Sequence, residues 1–316
     1  MRIAFVGKGG SGKSTLCALF IQSLLAKKSP LLAIDADINM HMSELLGIET
    51  PSIPLSLPDR AISIRTYLKG TNDRISKLSQ FVKTTPPGKG SSIISLSKND
   101  PFLITYTDQF SLNAYYARVG SYTEDDIGAT CYHGHLSIFE NILTHSILGE
   151  NEWLVADMVA GVDAFSNSLH GQFDLLVLVT EPSPEGIAVF DQFKTLAQKA
   201  GVWDRVVVVG NKLENSEDYA YLKERIGAKM LGSATRSMAI KSTRQKGLPL
   251  RGIALDPSTE DVLTKVEEQA LVNYLSPILR LRKIEELHRA FSRVDWVTET
   301  HGDISGQIDP DFALLS

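Results

Sequence analysis

A glycine-rich segment near the start of the chain constrains the fold more than any other feature. Residues 7–15 are GKGGSGKST, and they follow the apolar run 3–6 and open an apolar-periodic segment, 16–25. The spacing G-x-x-x-x-G-K-[ST] between a strand and a helix is typical of a phosphate-binding loop. Such a loop wraps its N–H groups around a polyphosphate, and the helix start adds partial positive charge. The sequence therefore predicts a nucleoside triphosphate site at this loop.

Two side chains of the loop have expected roles of their own. Lys13 is expected to reach the outer phosphates, and the Ser14 hydroxyl is expected to ligate Mg²⁺. The residues of the segment expected to bind the nucleotide are Gly7, Gly9, Gly10, Ser11, Gly12, Lys13, Ser14 and Thr15. A nucleoside triphosphate and Mg²⁺ are therefore the predicted cofactors.

The composition is typical of one large cytoplasmic α/β domain. With 316 residues, of which 43% are hydrophobic, the chain can bury a sizeable core. Its net charge of −5 argues against a general nucleic-acid or anionic-membrane binder. The two cysteines, Cys17 and Cys131, favour a reducing compartment, and no secretory signal or membrane span is expected.

Short apolar runs alternate with helical patterns along the chain, which predicts an α/β fold with a doubly wound, mostly parallel sheet and helices on both faces. Strands are predicted near 2–6, 31–34, 102–106, 153–157, 174–180 and 205–210, with a weaker one near 228–231. Helices are predicted at 13–27, 135–148, 184–200, 216–226, 236–246 and 258–275. Right-handed crossovers would place the phosphate-facing loops at the carboxyl edge of the sheet.

Two regions depart from this alternation. Residues 48–100 are rich in proline and predict an insertion with one or two short helices and a mobile stretch near 84–92. Ser276-Pro277 predicts the start of a last helix, to about 293, and the acidic segment 302–311 predicts a tail. We therefore expect a P-loop domain over 1–275, with the insertion at about 48–100, and a C-terminal helical extension with the acidic tail over 276–316.

Carboxylates end two of the predicted strands beside the loop. Asp35 and Asp37 follow the second strand, and Asp157 ends the strand 153–157. Carboxylates in this position can hold the magnesium shell and orient an attacking water. Asp35 and Asp37 could also cap the helical segment that follows them. Gly161 supplies backbone freedom for a switch after Asp157.

The form of the loop indicates which class of nucleotide-binding protein the chain resembles. Lys8 precedes the usual Lys13, and the run 8–14 resembles the deviant Walker A motif of the MinD/ParA/nitrogenase-iron-protein class of ATPases. The resemblance implies an ATP-dependent homodimer in which Lys8 reaches the nucleotide of the other subunit. It also implies that Asp37 positions water, that Asp35 joins Ser14 in the magnesium shell and that Asp157 lies near Mg²⁺. The alternative for Lys8 is an ordinary solvated loop lysine.

Within this class, four further segments look like the CooC group, accessory ATPases for nickel insertion into carbon monoxide dehydrogenase. They are Asp35-Ala36-Asp37-Ile38-Asn39, Asp157-Met158-Val159-Ala160-Gly161, Thr180-Glu181-Pro182-Ser183-Pro184-Glu185-Gly186 and Gly210-Asn211-Lys212. The class places the asparagine amide of Asn211-Lys212 on adenine, although a simple strand-ending turn is the alternative. ATP is favoured over GTP because Glu214 stands where guanine readers carry aspartate.

The segment 128–135 bears on metal handling. The CooC group carries a Cys-x-Cys pair here, and two such pairs hold one metal ion at the dimer interface; this chain has Cys131 and His133. Thiolate and imidazole from two subunits could still form a four-ligand site for Zn²⁺ or Ni²⁺, with His135 as a further ligand. The alternatives are a buried cysteine with helix-capping histidines, or a relative that has abandoned metal handling. Cys17 is expected in the core.

The leading functional hypothesis is a slow, switch-type ATPase that matures a metalloenzyme, with an unidentified client and no nucleic-acid or stable membrane partner. The alternative is a positioning or partition ATPase of the MinD/ParA kind without metal handling. The amphipathic C-terminal helix could pack on the body, on a second subunit or on a membrane surface. A small-molecule kinase or amidoligase is a third possibility, but the sequence offers no substrate motif for either.

Overall fold

An eight-stranded sheet forms the centre of the protein. The structure, a computed structural model, describes residues 1–49, 56–120, 132–161, 165 and 168–312, with the backbone alone at 132 and 133. The strands are β1 (Arg2–Gly7), β2 (Leu31–Ala36), β3 (Asp108–Ser111), β4 (Ala114–Arg118), β5 (Trp153–Met158), β6 (Leu175–Thr180), β7 (Val206–Leu213) and β8 (Met230–Thr235). Their order is β3-β4-β2-β5-β1-β6-β7-β8. All neighbours are parallel except the edge pair β3 and β4.

Helices cover both faces of this sheet. They are α1 (Lys13–Ala26), α2 (Met42–Leu46), α3 (Ala61–Lys69), α4 (Pro101–Tyr106), α5 (Tyr132–Thr144), α6 (Pro184–Lys199), α7 (Ser216–Ile226), α8 (Met238–Gln245), α9 (Pro257–Val272), α10 (Pro277–Phe291) and α11 (Asp295–His301). One apolar cluster joins α1 and α9 to the sheet, and a second joins α3, α5 and α6 to its other face. The predicted fold class, a doubly wound and mostly parallel sheet, is confirmed.

The predicted strand at 102–106 is wrong, because these residues form α4. The Asp100 carboxylate accepts hydrogen bonds from the N–H groups of Phe102 and Leu103, and Pro101 occupies the first helical position. A capping carboxylate and an N-terminal proline outweigh the strand preference of a short apolar run. The sheet edge is formed instead by β3 and β4, neither of which the sequence predicted.

The helix predicted at 135–148 begins earlier and ends at Thr144. Beyond it, the chain leaves helical geometry to pair with the insertion. The Ile94 N–H donates to the carbonyl of His145 at 2.8 Å, and the Ile147 N–H donates to the carbonyl of Ile94 at 2.9 Å. This pairing across about fifty residues ends α5 and is invisible to helical periodicity.

The segment that follows α11 does not project as an acidic tail. Gln307 is buried and accepts a hydrogen bond from the Thr85 hydroxyl at 2.9 Å. The Asp309 carboxylate accepts from the Lys89 N–H at 2.9 Å. The same contacts hold residues 84–92, the predicted mobile stretch, against the body of the protein. The prediction of a tail is therefore wrong, because residues 304–309 cover the insertion.

The last long helix packs on the body of the same chain. Leu281 and Ile284 of α10 are buried, and Nη2 of the Arg280 guanidinium donates to both carboxylate oxygens of Asp174, at 2.7 and 2.8 Å. Of the packing surfaces expected for this helix, the structure therefore supports the body of the domain. Among the described residues, no helix is both long and apolar enough to cross a bilayer.

Candidate nucleotide-binding site

A cavity of about 620 Å³ opens beside the phosphate-binding loop, at the carboxyl edge of the sheet. The loop and the start of α1 line it on one side, and residues 234–237 with α8 line it on another. Among the predicted site residues, those that line it are Lys8, Gly9, Gly10, Gly12, Lys13, Ser14, Thr15, Asp37, Asn211 and Lys212. The cavity thus brings the predicted loop residues together with Asp37, Asn211 and Lys212, and it adds residues 234–237 and α8, which the sequence did not indicate.

Two glycines of the loop are required by close contacts. A Cβ atom at Gly7 would lie 2.4 Å from the carbonyl oxygen of Val179, on the neighbouring strand β6. Gly12, at φ +90°, has the amide nitrogen of Asn211 at 2.1 Å from the position of such an atom. The loop can therefore follow this path only with glycine at these positions.

Lys13 lies between two carboxylates at the base of the cavity. Its ammonium contacts Asp37 Oδ2 and Asp157 Oδ1, each at 2.7 Å. The lysine side chain is 4% exposed and Asp157 is fully buried. A buried ion pair of this kind is stabilising only while each charge keeps its partner. The three residues form one electrostatic unit at the place where the outer phosphates are expected.

The pKa values of this unit follow from burial and from its charges. Burial raises the pKa of Asp157, although Lys13 opposes the change. Burial also acts to raise the pKa of Asp37, but the Lys13 ammonium and hydrogen bonds from Asn39 outweigh it, so that this pKa is lowered. Asp37 is therefore held ionised, as a residue that orients water must be.

The donor set at the base of the cavity fits a magnesium ion. Asp157 Oδ2 is buried with no hydrogen-bond partner among the described residues. Ser14 lines the cavity, and its hydroxyl is close enough to Asp157 to act against the rise in the pKa of that carboxyl. A carboxylate oxygen and a hydroxyl are the hard ligands that Mg²⁺ prefers. The assignment of Ser14 and Asp157 to the ion stays a prediction that this arrangement supports.

Asp35 lies behind the cavity, fully buried and outside its lining. Its carboxylate accepts hydrogen bonds from the N–H groups of Asp37 and Met42, at 3.3 and 3.1 Å. Burial, with the nearby Asp157 charge, raises its pKa to about 7. Asp35 therefore shapes the turn from β2 into α2, and its place in the magnesium shell stays a prediction.

The segment after Asp157 is tied to the phosphate-binding loop. The Gly161 N–H donates to the carbonyl oxygen of Gly7 at 2.9 Å, and Gly161 has φ +84°. This backbone conformation is one that glycine adopts without strain. A movement of the loop on nucleotide binding would therefore be passed directly to the segment that follows β5.

Glu181 contacts two lysines of the site, although the sequence indicated no role for it. Lys8 Nζ lies 3.7 Å from Glu181 Oε1, and Lys212 Nζ lies 3.5 Å from Glu181 Oε2. Lys212 also donates to the carbonyl oxygen of Gly10. Glu181 stands directly after β6, at the carboxyl edge of the sheet, and this position is the sequence signal that could have identified it. Lys8 is held within its own chain in this arrangement.

The Asn211 side chain is turned towards the loop. Its amide nitrogen donates to the carbonyl oxygen of Ser11 at 2.7 Å, and the residue is 8% exposed. The contact braces the phosphate-binding loop against β7. The adenine contact assigned to Asn211 by resemblance stays a prediction.

The predicted transition-metal site lies largely outside the described residues. Cys131 and the side chain of His133 fall there, while His135 is half-buried in the first turn of α5. Among the described residues, no group of three or more histidine, cysteine or acidic side chains could hold a metal ion. Cys17 is buried and unoxidised in α1, so its predicted place in the core is confirmed.

A buried carboxylate connects α5 with the chain after the Asp157 segment. The Ser168 hydroxyl donates to Glu140 Oε1 at 2.5 Å, and Glu140 is fully buried. Burial raises the pKa of Glu140 to about 7, although Lys83 and Ser168 oppose the change. The folded protein therefore binds a proton at Glu140 between pH 5 and 7 that the unfolded chain has already released.

We expect Glu140→Gln to stabilise the protein selectively at higher pH. Because the folded-state pKa is raised, the contribution of Glu140 to stability falls as pH rises from about 4.5 to about 7. Glutamine keeps an acceptor for Ser168 and has no proton to lose. Urea denaturation should show the stability of the variant relative to the parent rising by about 2 kcal/mol between pH 5 and 8.

The matched control for this change is Glu286→Gln, on the exposed side of α10. Its stability should follow that of the parent at every pH. A constant difference between the Glu140 variant and the parent from pH 5 to 8 would contradict a buried, proton-binding Glu140.

The sheet order, the glycine loop and the lysine–carboxylate unit define a P-loop nucleotide-binding protein, and comparison with protein families agrees. The model described as the CobQ/CobB/MinD/ParA nucleotide-binding domain, CbiA, matches residues 3–291. The chain belongs to this family of ATPases. The resemblance to the MinD/ParA class is thereby confirmed.

Individual proteins similar to this chain share about a quarter of its residues. The chain is 25% identical over 253 residues to an uncharacterized ATP-binding protein of Methanocaldococcus jannaschii, covering 79% of this chain and 91% of the relative. It is 25% identical over 250 residues to the carbon monoxide dehydrogenase accessory protein CooC of Rhodospirillum rubrum, covering 78% and 88%. The predicted likeness to CooC is therefore found, at the same identity as the likeness to the uncharacterized ATP-binding protein.

Solved structures show the same fold. The cell division ATPase MinD of Pyrococcus furiosus aligns with a TM-score of 0.53 at 19% identity, covering 85% of this chain and 97% of MinD. A putative plasmid partition protein of Borrelia burgdorferi, bound to AMPPNP, aligns with a TM-score of 0.55 at 14% identity, covering 86% and 99%. At these identities the likeness describes architecture only.

Proposed function

We propose that the protein is an ATP-driven dimeric switch that matures a metalloenzyme by delivering a metal ion. The observation that carries the ATPase part is the Lys13 ammonium between Asp37 and Asp157, at 2.7 Å from each. A nucleotide entering the loop would compete with these carboxylates for Lys13. Asp37 and Asp157 would then be released to act on water and magnesium.

Hydrolysis in this scheme is a positioning and electrostatic reaction. The loop N–H groups and Lys13 hold the outer phosphates, and Mg²⁺ supplies charge neutralisation when bound beside Ser14 and Asp157. Asp37, ionised and at the cavity wall, orients the attacking water. The bond between Gly161 and Gly7 at 2.9 Å then couples the state of the phosphates to the chain after β5.

Two observations support maturation as the role of this switch. One is the 25% identity to the accessory protein CooC across 88% of its length. The other is Cys131 directly before α5, with His133 and His135 in the first turn of this helix, whose Glu140 accepts a hydrogen bond from Ser168 beyond the switch. In our proposal, two copies of Cys131 and His133 meet in the ATP-bound dimer, and hydrolysis releases the ion.

The alternative, a positioning or partition ATPase, draws on the structural neighbours of the MinD and plasmid partition kinds. In its membrane-bound form it needs an accessible lipid-binding helix. The apolar residues Leu281 and Ile284 of α10 are buried against the body, and the net charge of the chain is −5. These observations favour maturation over a membrane-positioning role.

Metal analysis of the dimer tests the proposal. The protein is loaded with Ni²⁺ or Zn²⁺ under reducing conditions with ATP, and the metal bound per chain is measured with the oligomeric state. We expect about one ion per two chains, because two ligands from each chain complete a tetrahedral site. The ion should be lost in Cys131→Ser and retained in Cys17→Ala, which changes the buried cysteine.

A second variant separates the switch from the metal site. Lys8→Ala should bind ATP but remain monomeric and bind no shared ion, because the lysine that contacts the other subunit's nucleotide is missing. A parent that dimerises with ATP yet binds no metal would overturn the maturation role and leave the positioning ATPase as the function. ATP-dependent dimerisation of Lys8→Ala would refute the role of Lys8.

A further inference from the structure

The nucleotide cavity has more positive charge than its carboxylates balance. Its basic lining residues are Lys8, Lys13, Lys212, Arg236, Lys241 and Arg244. Asp37 is the one acidic lining residue in the described part of the chain. An excess of cations in a concave site favours an anionic ligand. A cation of this lining can bind such a ligand more readily when it has no carboxylate partner within the protein.

Most of the cations are paired. Lys13 contacts Asp37 and Asp157, and Glu181 lies within 3.7 Å of both Lys8 and Lys212. Arg236 Nε lies 2.7 Å from Glu214 Oε1. The remaining two, Lys241 and Arg244, are one turn apart on α8, and neither has a carboxylate partner in the described part of the chain. Helix α8 thus presents uncompensated charge to the cavity.

Arg244 is directed at the start of α1. Its Nη1 donates to the hydroxyl oxygen of Thr15 at 3.2 Å, and Thr15 is 8% exposed. Thr15 follows the magnesium-binding serine of the loop, within the helix turn whose N–H groups face the phosphates. A guanidinium has five N–H donors, so donors remain for a phosphate after the bond to Thr15.

The segment that carries α8 is anchored to the body on both sides of the helix; before it, the Arg236 N–H donates to the carbonyl oxygen of Leu213 in β7 at 2.9 Å. The Ser237 hydroxyl caps the helix by accepting from the Ile240 N–H at 3.3 Å. Beyond the helix, the Leu250 N–H donates to the carbonyl oxygen of Leu45 in α2 at 2.9 Å. The segment 237–250 therefore crosses from the last strand to α2 and forms one wall of the cavity.

We propose that Arg244 is a nucleotide-positioning residue that binds the inner phosphates shared by ATP and ADP. The outer phosphate belongs to the end of the site where Lys13, Asp37 and Asp157 meet. Arg244 contacts Thr15, which follows Lys13 by two positions in α1 and therefore lies about 200° around the helix from it. A charge-assisted bond from this guanidinium holds a nucleoside diphosphate or triphosphate equally. The inference deepens the proposed function and rests on its nucleotide-binding part alone.

Equilibrium binding of Mg-ATP and Mg-ADP to the protein without added nickel or zinc tests this assignment. Arg244→Ala should weaken both nucleotides by the same factor, about tenfold, as expected for loss of a charge-assisted hydrogen bond. Arg244→Lys should recover part of the affinity because it restores the charge. Lys246→Ala, which removes an exposed cation that directly follows α8 and does not line the cavity, should bind both nucleotides within about twofold of the parent.

Arg244→Gln separates binding from structure, because glutamine can still donate to Thr15 but carries no charge. It should lose affinity as the alanine variant does, with an unchanged melting temperature in the absence of nucleotide. Parent-like affinity in Arg244→Gln would overturn the proposal and leave Arg244 as a tie between α8 and α1. A loss confined to ATP would also overturn it. A parent that binds no nucleotide would refute the ATPase function itself, whereas failure of metal binding affects neither measurement.

Discussion

Replacement of Lys13 by alanine is expected to abolish ATP hydrolysis and to destabilise the nucleotide-free protein in the same variant. The lysine is the cation expected on the outer phosphates, and removing such a group lowers the rate by at least about a hundredfold. In the free protein it is also the partner of Asp37 and of fully buried Asp157. Leaving these carboxylates unpaired costs about 3–5 kcal/mol.

Phosphate release and urea denaturation measure the two effects separately. Part of the lost stability should return as the pH is lowered, because burial raises the pKa of Asp157 and a protonated carboxyl needs no cation. Lys27→Ala is the matched control, since Lys27 follows the same helix and pairs with Glu267 at the exposed surface. It should retain activity and lose less than about 1 kcal/mol. An active or fully stable Lys13 variant would contradict the proposed site.

Arg280→Ala is expected to produce the largest loss of stability outside the nucleotide site. The Arg280 guanidinium is 6% exposed and pairs with fully buried Asp174 at 2.7 and 2.8 Å. It also donates to the carbonyl oxygen of Gln172 at 3.2 Å. Loss of the arginine leaves a buried carboxylate without its cation, and the free energy of unfolding should fall by about 3–5 kcal/mol.

Arg282→Ala, on the exposed side of the same helix, is the control and should change the free energy of unfolding by less than about 0.5 kcal/mol. Limited proteolysis provides a second measurement, because α10 loses its attachment to β6 in the Arg280 variant. Cleavage within 276–309 should be faster there than in the parent or in the control. Equal stability and equal cleavage in all three proteins would show that apolar contacts alone hold α10.

The central fold and the phosphate-binding loop were predictable from the sequence because their signals are local. The apolar runs of β1, β6 and β7 are continuous, and the loop spacing places Lys13 and Ser14 directly. The carboxyl ends of parallel strands then bring Asp37 and Asp157 to the same edge as the loop. The contacts at 2.7 Å from Lys13 to both are the geometric result of that topology.

The helix at 102–106 has a local signal, Asp100 before Pro101, that was outweighed by the apolar run, whereas the other errors arose where contacts distant in sequence decide the structure. Phe102–Tyr106 is an apolar run with strand preference, and only the cap from Asp100 makes it a helix. Strand β4, the second from the edge, is placed by its pairing with β2, from Leu31 with Ala114 to Asp35 with Arg118. Arg244 was missed because a basic residue on an exposed helix carries no signal until the fold brings it to Thr15.

The covering of the insertion by residues 304–309 has a consequence for the order in which the chain is made. Thr85 and Gln307, which are hydrogen-bonded, are separated by 222 positions. At ordinary rates of protein synthesis, the insertion leaves the ribosome roughly 10 to 45 seconds before the residues that bury it. During that interval Val82 lacks the cover that Val297 and Ile304 give it, so the newly made chain has an apolar surface that the finished protein hides.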